Sequence, residues 1–306
     1  MRATTMIFAA AVMQLLGPRP AFVRTAYAEV TTTAIEEVVM YGIDADTYEL
    51  LRYTFANDEY VRIGVVTDQN GNVVTDMESL AFIPNGPDKG IYGTANWYES
   101  KPTRLVKINP LDATGYVYPN QIGFAKGEGL VAAQSPVTGD WVLIGASKHD
   151  DPGDKDSMLF TIDPATGVGT FLMDPSPRYQ GLALGPNGKL WGVTRDPSRL
   201  YNIDPASGSE LVIADVNGYD NTEALEWAFG DNLPRIDCTP TVPASWTKDG
   251  VLFSFDDDKD SLLILNPANG DAIRYDCSFQ TIDCEGLVFT TQFRDSFGAI
   301  VVDACD

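Results

Sequence analysis

The stretch Leu200-Tyr-Asn-Ile203-Asp204-Pro205-Ala-Ser-Gly208 recurs along the chain in recognisable copies. Each copy joins a short apolar run to an Asp-Pro or Asn-Pro step, and three copies carry Gly three residues after the Pro. The copies span residues 105–110, 159–164, 200–205 and 263–267, with a degenerate first copy at 51–59. Because this composition is typical of a strand, a tight turn and a second strand, the phrase predicts a repeated β-hairpin.

A second phrase follows each hairpin, and its first position is Glu in four copies and Gln in the fifth. Its second position is small and its third is Leu. The copies are Glu78-Ser-Leu80, Glu128-Gly-Leu130, Gln180-Gly-Leu182, Glu223-Ala-Leu225 and Glu285-Gly-Leu287. Each repeat therefore holds four short strands without helical periodicity, and four-stranded units of this period predict the blades of an all-β propeller.

The number of copies predicts five blades in one domain over residues 29–306. Six blades are the alternative, if residues 29–77 or 231–250 contain a further blade. The strands expected before Met77, at 38–43, 48–54 and 60–66, would complete the blade that residues 285–289 begin. Closing the ring with N-terminal and C-terminal strands removes the exposed sheet edges that an open chain of blades would present.

Residues 1–28 contain no acidic residue, and they carry an apolar stretch at 6–16 followed by Ala26-Tyr27-Ala28. This pattern is typical of a secretory signal peptide cleaved after Ala28. A membrane anchor is the alternative, but it requires about 20 consecutive apolar residues. We therefore expect residues 29–306 to be a soluble monomer that is secreted or periplasmic, without a membrane span.

The chain has 306 residues and is strongly acidic, with 21 Lys and Arg against 43 Asp and Glu and a formal net charge of -22. Such a surface repels phosphate backbones and anionic lipids, which disfavours nucleic acid and membrane surfaces as partners. His149 is the single histidine, so multi-histidine zinc sites are excluded. His149 lies beside two Asp and is a candidate general base, with a solvated loop residue as the alternative.

Four cysteines are consistent with an oxidising compartment and allow three pairings. Six residues separate Cys277 from Cys284 and are expected to connect two strands, which favours a local bridge there. Cys238 and Cys305 would then form the second disulfide. Four reduced thiols are the alternative.

The Glu column is the main candidate site, because inward side chains on five inner strands would form a ring at one mouth of the central channel. Several carboxylates cannot share a narrow site in ionised form unless a cation joins them or some keep their protons. Oxygen ligands without His or Cys favour Ca²⁺ over Zn²⁺. The sequence thus predicts a calcium site, with hydrogen bonds from backbone N–H groups of the neighbouring blade as the alternative. The residues of this ring are Glu78, Glu128, Gln180, Glu223 and Glu285.

Two further features are weaker candidates. Residues 150–156 and 256–260 are rich in acidic residues but do not match the EF-hand loop, so they predict a solvated surface or a weak calcium site. Trp97 and Trp246 lie in the least repeat-like segments, where a ligand is expected because loops vary while blades persist. The alternative is that both side chains cover blade edges.

The phrases at 200–208 and 285–289 resemble those of secreted bacterial β-propellers of the broad YVTN/NHL-like class and, more remotely, of the gluconolactonase/regucalcin group. The resemblance covers residues 38–303 and concerns blade repeats that many functions share. It implies that a Glu of the column binds metal, as in the regucalcin-like group, although the partner Asn and Asp motifs of that group have no match here. Similarity to five-bladed calcium-dependent nucleotidases implies one oxygen ligand from each blade.

Two hypotheses about function follow. The first is an exported, calcium-stabilised propeller that binds a small molecule, a glycan or a protein without a reaction of its own. The second is a calcium-dependent hydrolase of a lactone, phosphoester or similar anionic substrate, in which the metal polarises the scissile group. No P-loop, G-x-G-x-x-G or G-x-S-x-G motif is present to mark catalysis. An enzyme should place a candidate base within hydrogen-bond reach of the column.

Overall fold

The repeated hairpins fold into antiparallel sheets arranged around a common axis. The structure is a computed structural model, and it describes residues 36–55, 58–95, 103–124, 127–135, 138–148, 157–175, 177–186, 188–228, 242–243, 245–246, 250–275, 284–294 and 300–301. The described strands are β1 Glu36–Asp44, β2 Glu49–Thr54, β3 Glu59–Val65, β4 Met77–Ile83, β5 Gly90–Ala95, β6 Arg104–Ile108, β7 Gly115–Val117, β8 Gly127–Gln134, β9 Trp141–Lys148, β10 Ser157–Ile162, β11 Gly169–Met173, β12 Tyr179–Leu184, β13 Leu190–Thr194, β14 Arg199–Asp204, β15 Ser209–Asp215, β16 Thr222–Ala228, β17 Val251–Asp256, β18 Ser261–Leu265, β19 Ala272–Arg274, β20 Cys284–Arg294 and β21 Ile300–Val301. A 3-10 turn, η1, spans Asp257–Lys259.

Five blades form the ring, as the repeat predicted. The first sheet has the order β21-β20-β1-β2-β3, and the other four are β4 to β7, β8 to β11, β12 to β15 and β16 to β19. The inner strands β4, β8, β12, β16 and β20 each contact the next one around the axis, and β20 contacts β4. The molecule is therefore a five-bladed β-propeller.

The Asp-Pro-x-x-Gly turns explain why the repeated phrase folds as a hairpin. The Asp204 side chain accepts a hydrogen bond from the Ala206 amide at 2.9 Å, while the Gly208 amide donates to the Asp204 carbonyl at 2.9 Å. Gly208 has φ of 70°, and the equivalent Gly167 and Gly270 have 72° and 71°. Glycine is favoured at each of these positions because it adopts this left-handed conformation without strain.

The ring closes through the two ends of the described chain, as predicted. Strand β1 pairs antiparallel with β20, with Tyr41 opposite Val288 and Gly42 opposite Leu287. The first blade thus takes its inner strand from the C-terminal part of the sequence and its next three strands from the N-terminal part. Without this pairing, β1 and β20 would each have an exposed strand edge.

The hydrophobic core consists of five clusters, and the Leu column of the second phrase contributes one residue to each. These residues are Leu80, Leu130, Leu182, Leu225 and Leu287. The cluster around Leu130, for example, combines Ile83 and Tyr92 of the second blade with Phe160 of the third. Packing between blades, rather than within a central core, therefore holds the ring together.

Several expectations concern residues outside the described part of the chain. Residues 1–28 belong to that group, so the signal peptide stays a prediction. Cys284 is buried and its thiol lies 3.5 Å from the Gly286 carbonyl oxygen. Cys238, Cys277 and Cys305 are outside the described residues, so the disulfide pairing stays a prediction as well. Within the described ranges, no helix has the length and hydrophobicity that a membrane crossing requires.

Candidate functional site

The Glu column coincides with an irregularity of the backbone in all five inner strands. At this point of each blade the pairing between the inner strand and its neighbour skips one or two residues, which is a β-bulge. The skipped residues are Glu78, Glu128, Gln180, Glu223 with Ala224, and Glu285. A bulge turns a side chain away from the direction that regular pleating would give it, and bulges are frequent next to functional sites.

The small residues after the column allow the inner strands to approach one another at the axis. A Cβ atom on Gly181 would lie 2.5 Å from the Glu223 carbonyl oxygen and 2.6 Å from the Leu225 amide nitrogen. A Cβ atom on Gly286 would lie 2.9 Å from the Leu80 amide nitrogen. The close approach predicted for this column is therefore present, and it brings the column residues of neighbouring blades together.

Three of the column side chains are buried at the start of their strands. Glu128, Gln180 and Glu223 expose 6%, 7% and 5% of their surface, and Glu78 is half-buried. Glu128 and Gln180 line the central cavity, together with the small residues and leucines that follow the column. The side chain of Glu285 lies outside what the structure describes.

Arg178 neutralises Glu128. Its Nε donates to Glu128 Oε2 at 2.7 Å and its Nη2 donates to Oε1, which is the bidentate geometry of the strongest ion pairs. Burial lowers the pKa of Arg178, but the hydrogen bond and charge of Glu128 and the charges of Glu78 and Glu223 outweigh burial and raise this pKa. One guanidinium thus interacts with three members of the column.

Arg195 neutralises Glu223 from the connection between β13 and β14. Its Nη1 donates to Glu223 Oε1 at 2.7 Å, and Gln180 also forms a side-chain hydrogen bond with Glu223. Burial raises the pKa of Glu223 to about 7, against the lowering effect of Arg195 and with smaller raising effects of Asp257 and Glu128. Glu223 is therefore a carboxyl group that titrates near neutral pH.

These contacts bear on the charge of the column, which led us to expect a cation there. Arg178 pairs with the buried Glu128 and Arg195 pairs with the buried Glu223, and the calcium site stays a prediction. The donors to Glu128 and Glu223 are arginine side chains, not the backbone N–H groups that the alternative proposed. In the part of the chain that the structure describes, no three His, Cys, Asp or Glu side chains are grouped so as to hold a metal ion.

Some hydrogen-bonding capacity remains at this end of the ring. Gln180 Oε1 is buried and has no partner among the described residues. The side chains of Arg178 and Arg195 are 32% and 46% exposed. Within the described ranges, Arg178 Nη1 and Arg195 Nη2 have no acceptor, so the mouth offers donors to solvent and one buried acceptor.

Sequence reasoning did not single out either arginine. Arg178 stands two residues before Gln180, where the other copies carry Asp76, Lys126, Asn221 and Asp283. Every copy carries a charged or amide side chain at this position, and this regularity could have marked the position as part of the site. Arg195 lies in the four-residue connection between β13 and β14, and the corresponding connections of equal length at 45–48 and 257–260 contain no arginine, so no repeated column could reveal it.

The other candidate residues are Trp97, His149 and Trp246, of which Trp246 lies within the described ranges. Residues 96–102, with Trp97, and residues 149–156, with His149, are outside the described ranges, but the strands that flank them end at the same side of the ring as the column. The connection between Ala228 and Val251 lies at the opposite end of its blade from Glu223. Trp246 in that connection packs against the cluster between the fifth and first blades. Trp246 thus belongs to a connection at the end of the ring opposite to the column, and Trp97 is outside the described residues.

Comparisons with known proteins found similar solved structures at low sequence identity. No family model matches the chain, and no curated protein matches it either. A nidogen/laminin complex is similar at 16% identity and a TM-score of 0.49, over 82% of this chain and 80% of the other. A gluconolactonase-family protein shares 12% identity with a TM-score of 0.42, over 85% and 89%. The Dos1 propeller shares 11% with a TM-score of 0.38, over 82% and 63%.

Proposed function

We propose that this protein is an exported binding scaffold whose ligand docks at the mouth of the ring that carries the column. The five bulges support this proposal most directly. Each blade interrupts its strand pairing at the same point and places a Glu or Gln there, although blade packing requires only the small residue and the leucine that follow. A bulge costs backbone hydrogen bonds between the inner strand and its neighbour, and the packing of the blades does not gain from it. A binding role for the Glu and Gln side chains explains why the bulge recurs in every blade.

The contacts at the mouth indicate a small polar ligand. The ligand has to donate a hydrogen bond to Gln180 Oε1 and accept hydrogen bonds from the partly exposed side chains of Arg178 and Arg195. Groups that donate and accept, such as hydroxyl and amide groups, satisfy both requirements. Because Arg178 and Arg195 already pair with Glu128 and Glu223, these four groups do not require the ligand to carry a large charge.

A thermal-shift screen tests this proposal. The purified protein would be melted with a panel of sugars, sugar acids, sugar phosphates and amino acids. A ligand that binds only the folded state raises the melting temperature by mass action. We expect the rise to be lost in Arg195→Gln, because this side chain presents donors at the mouth.

Arg199→Gln is the matched control. Arg199 forms an ion pair with Asp215 at 2.7 Å and is 44% exposed, so the substitution removes a similar ion pair of the same blade but none of the column contacts. The rise should survive in this variant. A ligand whose rise disappears in the Arg199 variant and persists in the Arg195 variant would place binding away from the mouth.

A hydrolase is the second candidate, and the titration of Glu223 favours it. A carboxyl group with a pKa of about 7 beside an arginine can donate or accept a proton at neutral pH, which is the property of a general acid or base. As a hydrolase, the protein would use Glu223 to transfer a proton to or from a lactone or phosphoester. Arg195 would stabilise the negatively charged oxygen of that substrate.

Assays on lactones and phosphoesters separate this candidate from a binding scaffold. If Glu223 transfers the proton, Glu223→Gln should lower kcat by about 100-fold or more while leaving the fold intact. Turnover of a substrate at the wild-type rate by this variant would exclude Glu223. Binding without turnover by the wild-type protein would favour the scaffold.

A further inference from the structure

One ionisable side chain, Glu226, interrupts an otherwise apolar column of the inner strands. This column stands one position after the leucines, and its four other members are buried alanines and valines. The strand pairing shows that the positions are equivalent, because each of the five residues pairs with the second strand of its blade directly after its leucine does. The four other members are Ala81, Val131, Ala183 and Val288. The fifth blade thus carries a carboxyl group where the other blades bury a small apolar side chain.

Glu226 faces the cluster between the fifth and first blades, which we call the closing seam. This cluster joins the N-terminal strands β1 and β2 to the C-terminal strands β16, β17, β18 and β20, and it includes Ala228. Leu225 and Trp227 of β16 belong instead to the cluster between the fourth and fifth blades. Because side chains alternate between the two faces of a strand, Glu226 lies on the same face as Ala228 and points into the closing seam.

The surroundings of Glu226 favour the protonated form of its carboxyl group. The side chain is half-buried, and its carboxyl forms no hydrogen bond or ion pair with the described residues. A carboxyl in apolar surroundings keeps its proton because the charged form loses more hydration than the neutral form. Burial accordingly raises the pKa of Glu226 well above its ordinary value. Glu226 therefore holds its proton at a pH where exposed glutamates are ionised.

Among the described residues, the ionisable groups on the other elements of the closing seam supply no counter-charge to Glu226. Arg62 of β3 is the cation among them, and it forms ion pairs with Asp44 and Glu49 of its own blade. Burial is the cause of the pKa shift of Glu226, and none of these groups contributes to it. The groups are Arg62, Asp44, Glu49, Tyr53, Asp58, Tyr60, Tyr275 and Cys284.

We propose that Glu226 makes the closing seam a proton-dependent joint of the ring. While the carboxyl keeps its proton, it lies among the apolar side chains of the seam, and the fifth and first blades pack as the structure shows. When the proton is lost, the carboxylate requires water, and the seam has to loosen to admit it. The contact between the N-terminal and C-terminal strands is thereby tied to pH. This inference is independent of the proposed ligand at the mouth.

Thermal melts of the purified protein between about pH 4.5 and pH 9 test the proposal. The folded state holds the Glu226 proton to a higher pH than the unfolded chain, so stability falls as pH rises from about 4.5 through the raised pKa. Glu226→Gln keeps the shape without the charge, and its melting temperature should be close to the wild-type value at pH 4.5. At pH 9 we expect it to exceed the wild-type value by about 3 °C or more.

Two comparisons separate this effect from other titrations. Asp140→Asn removes an exposed acid of the third blade and should keep the pH profile of the wild-type protein. Glu223 also titrates with stability, but it belongs to the column rather than to the closing seam. Adding Glu226→Gln to Glu223→Gln should therefore flatten the profile further than Glu223→Gln does alone.

Hydrogen exchange shows where the ring loosens. At pH 9 the amides of β16 and β20 should exchange about fivefold faster or more in the wild-type protein than in Glu226→Gln, because the seam opens locally. The amides of β8, in the third blade, should exchange equally in both proteins. Comparing the two proteins at the same pH cancels the intrinsic effect of pH on exchange. At pH 5 we expect no difference in any strand.

Glu226→Val keeps the test decisive if Glu226→Gln does not fold. Valine is the residue that the first and third blades carry at this position, so the variant should fold and show the same flattened profile. A pH profile parallel to that of the wild-type protein in the folded variant would overturn the proposal. So would a difference in exchange at pH 9 that is as large in β8 as in β16, because the effect would then not belong to the seam.

Discussion

At the scale of single residues, the column contains two buried glutamates that are each paired with an arginine, and burial raises the pKa of one of them, Glu223, to about 7. Glu128 and Glu223 are both almost fully buried, and each has an arginine partner that is partly exposed. Breaking a buried pair by removing one partner costs far more than the pair contributes, because the remaining charge stays buried. Both pairs can therefore be tested by removing one side chain at a time.

Arg178→Met should destabilise the protein by roughly 2 kcal/mol, because Glu128 would remain buried without its donors. Adding Glu128→Gln to this variant should recover part of the loss, since the uncompensated charge disappears. Urea denaturation of the two single variants and the double variant measures the coupling between the residues. Additive effects would show that Arg178 and Glu128 do not interact as the structure indicates.

Glu223 should make the protein less stable as pH rises from about 4.5 to about 7. Its pKa is higher in the folded state, so over this range the folded protein binds more protons than the unfolded chain, and stability falls with pH. Glu223→Gln removes this contribution, whose upper bound is about 3 kcal/mol. Its stability should match the wild-type value near pH 4.5 and decline less steeply up to pH 7. Urea melts at several pH values measure this, with the exposed Asp46→Asn as the control that should keep the wild-type slope.

At the scale of elements, the inner strands determine the geometry of the mouth. Their small residues let adjacent strands approach, their bulges redirect the column and their leucines fill the space between blades. A buried hydroxyl pair adds to the contact between the second and third blades, since Thr94 Oγ1 lies 2.6 Å from Ser79 Oγ and donates to the Gly127 carbonyl at 2.7 Å. Strand spacing at the axis is thus set by backbone contacts as well as by side chains.

Gly181→Ala should destabilise the ring more than Gly129→Ala. The new Cβ on Gly181 would meet backbone atoms of Glu223 and Leu225 at 2.5 and 2.6 Å, whereas the one on Gly129 would meet the Leu182 side chain at 3.0 Å and backbone atoms of Leu182 and Gly181 at 3.1 and 3.3 Å. Because the overlap at Gly181 is about half an ångström deeper and no side-chain movement relieves it, we expect about 3 kcal/mol or more at Gly181 and about 1 kcal/mol at Gly129. Thermal melts of both variants give the comparison. Equal losses would argue against the backbone contact between β12 and β16.

At the scale of the whole molecule, the ring is closed by the antiparallel pairing of β1 with β20. Each blade packs against two neighbouring blades. If one neighbour were missing, the apolar face of the blade would be exposed to water. The pairing of β1 with β20 is the only described link in which the two ends of the chain share a sheet. Stability of all five blades should therefore depend on it.

Deletion of residues 284–306 should abolish cooperative unfolding, because it removes the inner strand of the first blade and exposes the clusters around Leu80 and Met40. Deletion of residues 1–28, the predicted signal peptide, is the control and should leave the melting curve unchanged. Circular dichroism with heating measures both. A sharp transition in the C-terminal deletion at the wild-type temperature would show that the ring does not need closure.

The sequence by itself determined the architecture, because a propeller is built from local signals that repeat. The Asp-Pro-x-x-Gly turns, the strand lengths and the small and leucine columns all act over a few residues, and repetition made them visible. The five blades, the closing strands and the close approach at Gly181 were predicted from these signals. The column itself was also predicted, because the same residue type recurs at the same place in each copy.

Only the tertiary structure decided what surrounds the column. Arg178 reaches Glu128 across 50 residues and Arg195 reaches Glu223 across 28, and neither distance belongs to the repeat. Charge neutralisation and burial are properties of residues that meet in space, so they depend on contacts between blades that a periodic sequence does not encode.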